Sequence, residues 1–394
     1  MTSLIATADI HINGGRWGGS NPETGRSRAS ETTYGIWLGI CRRAVEEGAA
    51  LISVGDLFLD GHPRPEDVEM LADGYRLLAD AGLECVIVRG NHDPRHLPLG
   101  QRDPLGRYGD LAGVHVATTP EIVRLASGVA VVCLPWPRAA DYLAAGEAEG
   151  LGGEDVDLVV AARAADRLGE LVDEATACGG PVVVAAHCTV DTAKLGSSRR
   201  GSEVALGKLL HEPVLPLTAF DREGVTHVAL GHIHRRQHLS ERVWYCGSPD
   251  RVDFGEEDQE KAYSLIHIDG TSPASVESVP VAARTFRTID LGADGDISQV
   301  TAAAGDIVRL RIDARCEVSE PEARRAVADA GAEVVQIVVV PAPDAERERR
   351  SVAEDIGPIE GLRAWLDGCD TGLPEDEVVA AAQRLLAETN ERSA

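Results

Sequence analysis

Eight short apolar runs punctuate the first 280 residues, at 3–8, 50–54, 85–88, 129–134, 158–160, 182–186, 227–230 and 263–268. Their length and β-branched content suit buried strands. The run at 158–160 is the ambiguous one; it falls within 154–177, which reads as helix. Helical periodicity fills the gaps. Trp37, Ile40, Cys41, Ala44 and Val45 follow i, i+3, i+4, i+7, i+8, and Gly48 closes that helix. Pro65 with Glu66 and Asp67 makes a helix first turn, after which Val68, Leu71, Tyr75 and Leu78 mark a buried stripe. Alternating strands and helices predict an α/β core over 1–283, with functional groups on the loops at strand ends.

The pattern changes near Arg284. "TFRTIDL" and "DIVRLRID" read as strands, Ser319 with Glu322 as a capping box, and "AEVVQIVVV" as a further strand. A small α+β domain of ββαβ order is expected over 284–341. A proline-bounded, charged linker follows, taken as 342–354. The tail, 355–394, carries two short apolar stripes. One is Ile359, Leu362, Trp365 and Leu366; the other is Val378, Val379, Ala382, Leu385 and Leu386. Helices this short are marginal alone, so the stripes need a partner surface. The expectation is a helical docking element for another protein, contacted through Leu362, Trp365, Val378, Leu385 and Leu386. Packing back on its own domain is the alternative.

Composition narrows the class. No apolar run approaches 18 residues, so no membrane span is expected. The N-terminus leads straight into the first motif without a basic and then apolar leader, which points to the cytoplasm. Eight cysteines lack any CxxC pair and read as reduced thiols. The net charge of −26 argues against broad nonspecific nucleic-acid binding but leaves room for a local basic groove. Lysine appears only at 194, 208 and 261.

The chemistry sits where the apolar runs end. Asp9-Ile10-His11 follows the first, Gly55-Asp56 the second, Gly90-Asn91-His92-Asp93 the third, His187 another, and Gly231-His232-Ile233-His234 a fifth. Carboxylate, amide and imidazole ligands together suit a pair of borderline-hard divalent ions such as manganese. Two ions roughly 3.5–4 Å apart can clamp the attacking and leaving oxygens of a phosphoryl displacement. Asp93 is expected to hydrogen-bond loop backbone, and the motif glycines to let the backbone turn sharply. Arginines cluster on the same loops, at Arg16, Arg26, Arg28, Arg95, Arg199, Arg200, Arg235, Arg236 and Arg251. Together they could track a phosphate backbone.

The motif order D-x-H, G-D, G-N-H-D, H, G-H-x-H resembles that of calcineurin-like metallophosphoesterases. "GDLFLDGHPRPED" and "VWYCGSPDRVDFGEEDQEKAY" are similar to segments of SbcD-type nuclease subunits, and the small domain and helical tail match that layout. The resemblance implies an α/β sandwich with a small capping domain. It implies one metal held by Asp9, His11, Asp56 and His234, and a second by Asp56, Asn91, His187 and His232. Manganese is the metal expected, with magnesium, iron or zinc as substitutes. His92 is left as the group that protonates the departing sugar oxygen. A homodimer acting on DNA with an SbcC-type ABC ATPase, in DNA-end processing and repair, is the implied function. A small-molecule phosphodiesterase and a non-catalytic DNA-end or ATPase scaffold are the alternatives. One departure stands out: where family members carry His or Asp after Gly-Asp-Leu-Phe, this chain has Leu59, which bears on exonuclease action.

Overall fold

The computed structural model describes residues 2–13, 17, 19–94, 103–194, 212–296, 298 and 300–340, and within the tail 359, 362, 363, 366, 376 and 378–384. Strands β1 (Thr2–Thr7), β2 (Ala50–Val54), β3 (Cys85–Val88) and β4 (Val114–Ala117) lie side by side and parallel. The chain then crosses to a second sheet with β5 (Glu121–Arg124), β6 (Ala130–Leu134) and β7 (Val182–His187). A two-stranded pair follows, β8 (Thr189–Val190) with β9 (Val214–Leu215). Strands β10 (His227–Gly231), β11 (Gln237–His238) and β12 (Val243–Tyr245) complete the second sheet. Finally β13 (Ala262–Ile268) and β14 (Ser275–Pro280) return antiparallel along the free side of β1. The two sheets read β14-β13-β1-β2-β3-β4 and β11-β12-β10-β7-β6-β5.

The central strands are apolar along their whole length because both faces are covered. Leu4, Ile52, Val54, Val86 and Val88 of the first sheet share one buried cluster with Val131, Val183, Ala185 and Ala229 of the second, so the sheets stack face to face. The alternate residues Ile5, Leu51 and Ile87 point the other way, into a cluster with helices α1 (Arg28–Glu47) and α2 (Pro65–Asp80). Two short helices, α3 (Pro104–Tyr108) and α4 (Ala139–Tyr142), precede α5 (Gly153–Ala177). The α5 residues Ala164, Leu168 and Val172 pack on Val132, Val184 and Val228 of the second sheet. The result is a helix–sheet–sheet–helix sandwich, the α/β class expected.

Helix α1 begins where Ser27 accepts the N–H of Ser30, and ends at Gly48 with φ 58°. Its stripe is buried at Trp37, Ile40, Cys41 and Ala44, but Val45 is 36% exposed and falls off the edge of the stripe. The 158–160 run is helical, inside α5. Three strands that periodicity did not give, β4, β5 and β14, lie at sheet edges; β4 and β5 mix buried with exposed positions, and β14 has none buried.

A third sheet, β15 (Phe286–Leu291), β16 (Ile307–Asp313) and β17 (Glu333–Val340), carries helix α6 (Glu320–Asp329), whose capping box is Ser319 with Glu322. Ile289, Leu291, Val308, Leu310, Ala323 and Val327 form its small core. The chain divides into two compact units, Met1–Ile312 with Cys316–Val338, and Asp313–Arg315 with Val339–Ala394. The linker lies outside the described residues. In the second unit Leu362 and Val378 are helical and half-buried, and Leu366 and Val379 are buried. Trp365, Leu385 and Leu386 lie outside the described residues.

Candidate metal centre

Parallel strands emit their loops from one end, and the motifs follow from that. Asp9 and His11 follow β1, Asp56 follows β2, Asn91 follows β3, His187 ends β7, and His232 and His234 follow β10. These side chains converge in two groups. Asp9, His11 and His234 bring ligand atoms within 4.8 Å of one another, and so do Asp56, His187 and His232. Asn91 joins the second group, its Oδ1 lying 2.9 Å from His187 Nε2 and 3.0 Å from His232 Nδ1. Asp56 Oδ2 lies 3.3 Å from His187 Nε2.

The backbone is strained to make this possible. Among the described residues five non-glycine residues have positive φ, and four are in this site: Asp9 (53°), His11 (43°), Asp56 (51°) and His232 (93°). Each such residue costs on the order of 1–3 kcal/mol and persists only where its surroundings fix it. The motif glycines serve two purposes rather than the single one expected. Gly55, at φ 82°, does turn the chain. Gly90 and Gly231 instead permit close approach: a Cβ on Gly90 would lie 2.1 Å from Asp56 Oδ1, and one on Gly231 2.0 Å from the Val54 carbonyl.

The donor set fits a cation, and one contact carries the test. His11 donates Nδ1–H to the Phe58 carbonyl at 3.0 Å, and His234 donates Nδ1–H to Glu256 Oε1 at 2.8 Å. Their Nε2 atoms then face each other at 3.0 Å. Burial, reinforced by His234, pushes His11 down to about 3, so its ring is neutral at ordinary pH. With both rings neutral, two unprotonated ring nitrogens at that distance repel, and either a shared proton or a metal cation between them relieves the repulsion. Two buried carboxylates nearby, Asp9 and Asp56, add the negative charge that divalent ions would offset. Asp9 is already aimed, accepting the His232 N–H at 3.0 and 3.1 Å.

His92 stands apart from both groups. Its ring donates Nδ1–H to the Leu59 carbonyl at 2.9 Å, and its side chain is 37% exposed with Nε2 4.0 Å from Asp56 Oδ2. Its backbone N–H binds Asp56 Oδ1 at 2.8 Å. Leu59 thus orients His92 through its carbonyl, a contact that any residue at 59 could make. Asp93 is buried and accepts four backbone N–H groups, from Asp56, Leu57, Phe58 and Gly90.

Four supporting residues were not foreseen. Glu256 and Lys261 back His234, and Glu212 lies 3.4 Å from His232 Nε2 while accepting from Thr189. The Trp136 ring also packs on His232, centroids 4.7 Å apart. None carries a local spacing signal; Glu256 and Lys261 fall in the "FGEEDQEK" stretch that marked the resemblance, without a role read from it.

The arginines divide. Arg16, Arg95, Arg199 and Arg200 lie outside the described residues. Arg26, Arg28 and Arg235 are exposed. Arg236 is committed to the Cys246 carbonyl and Ser264 and lies over Trp244. Arg251 is committed to the carbonyls of Glu256, Gln259 and Arg284. These two guanidinium groups are spent inside the protein, which leaves Arg26, Arg28 and Arg235 as the described candidates for phosphate contact.

Among solved structures, the chain matches a dimetal phosphatase from Danio rerio with 12% identity and a TM-score of 0.40, covering 71% of this chain and 99% of that one. Among characterised proteins it is similar to the SbcD subunit of the nuclease SbcCD from Escherichia coli K12, 25% identical over 309 residues, 76% of this chain and 72% of that protein. It is 29% identical over 254 residues to the SbcD subunit of the same nuclease from Rhodobacter capsulatus, 57% of this chain and 58% of that protein. The calcineurin-like phosphoesterase family model matches residues 2–236, which span every motif residue from Asp9 to His234. The chain belongs to the calcineurin-like phosphoesterase family, with SbcD-type subunits among its relatives.

Proposed function

We propose that this phosphoesterase is a manganese-dependent DNA nuclease subunit that hydrolyses phosphodiester bonds with two divalent cations. The observation that carries the reading is the pair of facing Nε2 atoms on His11 and His234, set beside a second cluster whose His232 donates its backbone N–H to Asp9. Asp9, His11, Asp56 and His234 would hold one cation; Asp56, Asn91, His187 and His232 would hold the other, with Asp56 common to both. Bound there, such ions would supply Lewis acidity to the phosphoryl oxygens and would activate a water.

The chain's own groups supply the rest. Gly55, Gly90 and Gly231 let the strand ends approach closely enough for the ligands to meet. Asp93 fixes the Asp56 and Gly90 backbones. His92, held through Nδ1 with its side chain 37% exposed, keeps Nε2 4.0 Å from Asp56 Oδ2, where a proton at that atom would pass to the departing sugar oxygen. Arg26, Arg28 and Arg235 would meet the DNA backbone. The similarity to a subunit of nuclease SbcCD supports nuclease action on DNA with an SbcC-type partner; a homodimer and a role in DNA-end repair in the cytoplasm belong to the same proposal. No described helix is long and apolar enough to cross a membrane.

Incubation with Mn²⁺ and end-labelled duplex DNA, beside a chromogenic aryl phosphodiester, tests the reading. Cleavage of both is expected, with DNA cleavage stimulated by the ATPase and ATP. Cleavage of the chromogenic ester alone would instead mark a small-molecule phosphodiesterase, and cleavage of neither a scaffold.

A further inference from the structure

Segment 248–261 lies outside the ligand motifs, yet it delivers two buried charges against one of the motif histidines. Glu256 is 3% exposed and Lys261 5%. Burying an isolated carboxylate or ammonium is costly, so such a pair persists only when its members satisfy each other and their neighbours. Here they do. Lys261 Nζ lies 2.6 Å from Glu256 Oε2, 2.8 Å from Ser248 Oγ and 3.1 Å from Gln259 Oε1. Glu256 Oε2 also takes the Ser248 hydroxyl at 3.3 Å. The other oxygen, Oε1, is left for His234 Nδ1 at 2.8 Å.

The division of labour between the two oxygens has a chemical consequence. A carboxylate can only accept from the ring, so His234 carries a proton on Nδ1, and its neutral form presents Nε2 unprotonated. Nε2 is the atom that faces His11. A carboxylate behind an imidazole fixes its tautomer and ring orientation and raises its basicity as a ligand. Lysine is rare in this chain, with three in all, and Lys261 sits where it balances the glutamate's charge. The glutamate can therefore stay ionised behind His234 without leaving a lone buried charge.

We propose that Glu256, held by Lys261, is a positioning residue for His234: it sets that ring's tautomer and strengthens cation binding at the Asp9–His11–His234 cluster and not at the Asp56–His187–His232 cluster. The inference rests on the metal-centre reading above and adds to it a site-selective control of affinity.

Calorimetric titration of the metal-stripped, full-length protein with Mn²⁺ tests this without any activity assay. Wild type takes up two ions. E256Q, near in shape and still able to fold around the same contacts, weakens one of the two by about 10-fold or more, within the range for such supporting contacts. In an H187A background, where the other cluster is broken, E256Q still weakens the remaining ion. In an H234A background, E256Q produces no further loss, because the ring it acts through is gone. The double variant E256Q/K261M, which removes both buried charges, recovers thermal stability relative to E256Q and does not recover Mn²⁺ affinity. Two ions bound by E256Q with wild-type affinity would overturn the proposal, as would an equal loss in the H234A background or a loss that K261M repairs. A wild-type protein that takes up no Mn²⁺ would overturn the metal-centre reading itself, a result distinct from any of these.

Discussion

Asp93 Oδ2 accepts the backbone N–H of Asp56 at 3.0 Å, and the same oxygen accepts the N–H of Gly90 at 2.8 Å. One carboxylate oxygen therefore ties the loop after β2 to the loop after β3. The companion oxygen takes the N–H groups of Leu57 and Phe58 at 2.9 and 3.2 Å. Asp93→Ala strands these buried donors and is expected to destabilise the protein by about 3 kcal/mol or more. Asp93→Asn, which keeps an amide oxygen, is expected to lose less. Denaturant unfolding of both variants measures the difference; equal stability in all three proteins would show that the loops hold without Asp93.

His92→Ala separates chemistry from binding. The ring is held through Nδ1 and packs edge-on against His11, centroids 5.1 Å apart, but it belongs to neither candidate ligand group. Hydrolysis is expected to fall about 10²- to 10⁴-fold, the range for a lost general acid, with both Mn²⁺ ions retained. Parallel metal analysis and turnover check this. Loss of an ion in the variant would make His92 a ligand.

Gly231→Ala is expected to damage fold and site together. The added methyl would meet the Val54 carbonyl at 2.0 Å, and backbone in a paired strand cannot step aside as a side chain can. The cost expected is at least about 1–3 kcal/mol, with reduced Mn²⁺ uptake. Gly61→Ala, where nothing lies within 4 Å, is the matched control and should melt as wild type does.

The tail makes a separate prediction. Truncation at 350 removes Leu362, Trp365, Val378, Leu385 and Leu386 and should leave Mn²⁺-dependent hydrolysis of a small phosphodiester intact. It should abolish co-purification with an SbcC-type ATPase and any ATP-stimulated DNA cleavage. A truncated protein that still binds the ATPase would move the docking surface elsewhere.

Much of the candidate site was legible because each candidate-ligand motif follows a run of apolar residues, and a strand buried on both faces leaves such a run. Asp9, Asp56, Asn91 and His187 are read in this way. Edge strands such as β14 escaped because a half-exposed strand alternates too weakly to stand out from a loop. Val45 misled because a stripe inferred from spacing has no stated width, and the packing of α1 stops at Ala44. Arg236 and Arg251 share their loops with the ligands, but sequence does not reveal that internal carbonyls claim their guanidinium groups. Glu256 and Glu212 reach their histidines across 22 and 20 positions, a spacing that no local period encodes.

Anomalous diffraction at the manganese edge, from crystals equilibrated with Mn²⁺, locates the cations themselves. Two peaks roughly 3.5–4 Å apart are expected. One should lie between His11 Nε2 and His234 Nε2, the other among Asn91, His187 and His232, with Asp56 reaching both. A single peak, or two peaks that leave the His11–His234 pair without an ion, would contradict the two-cation reading.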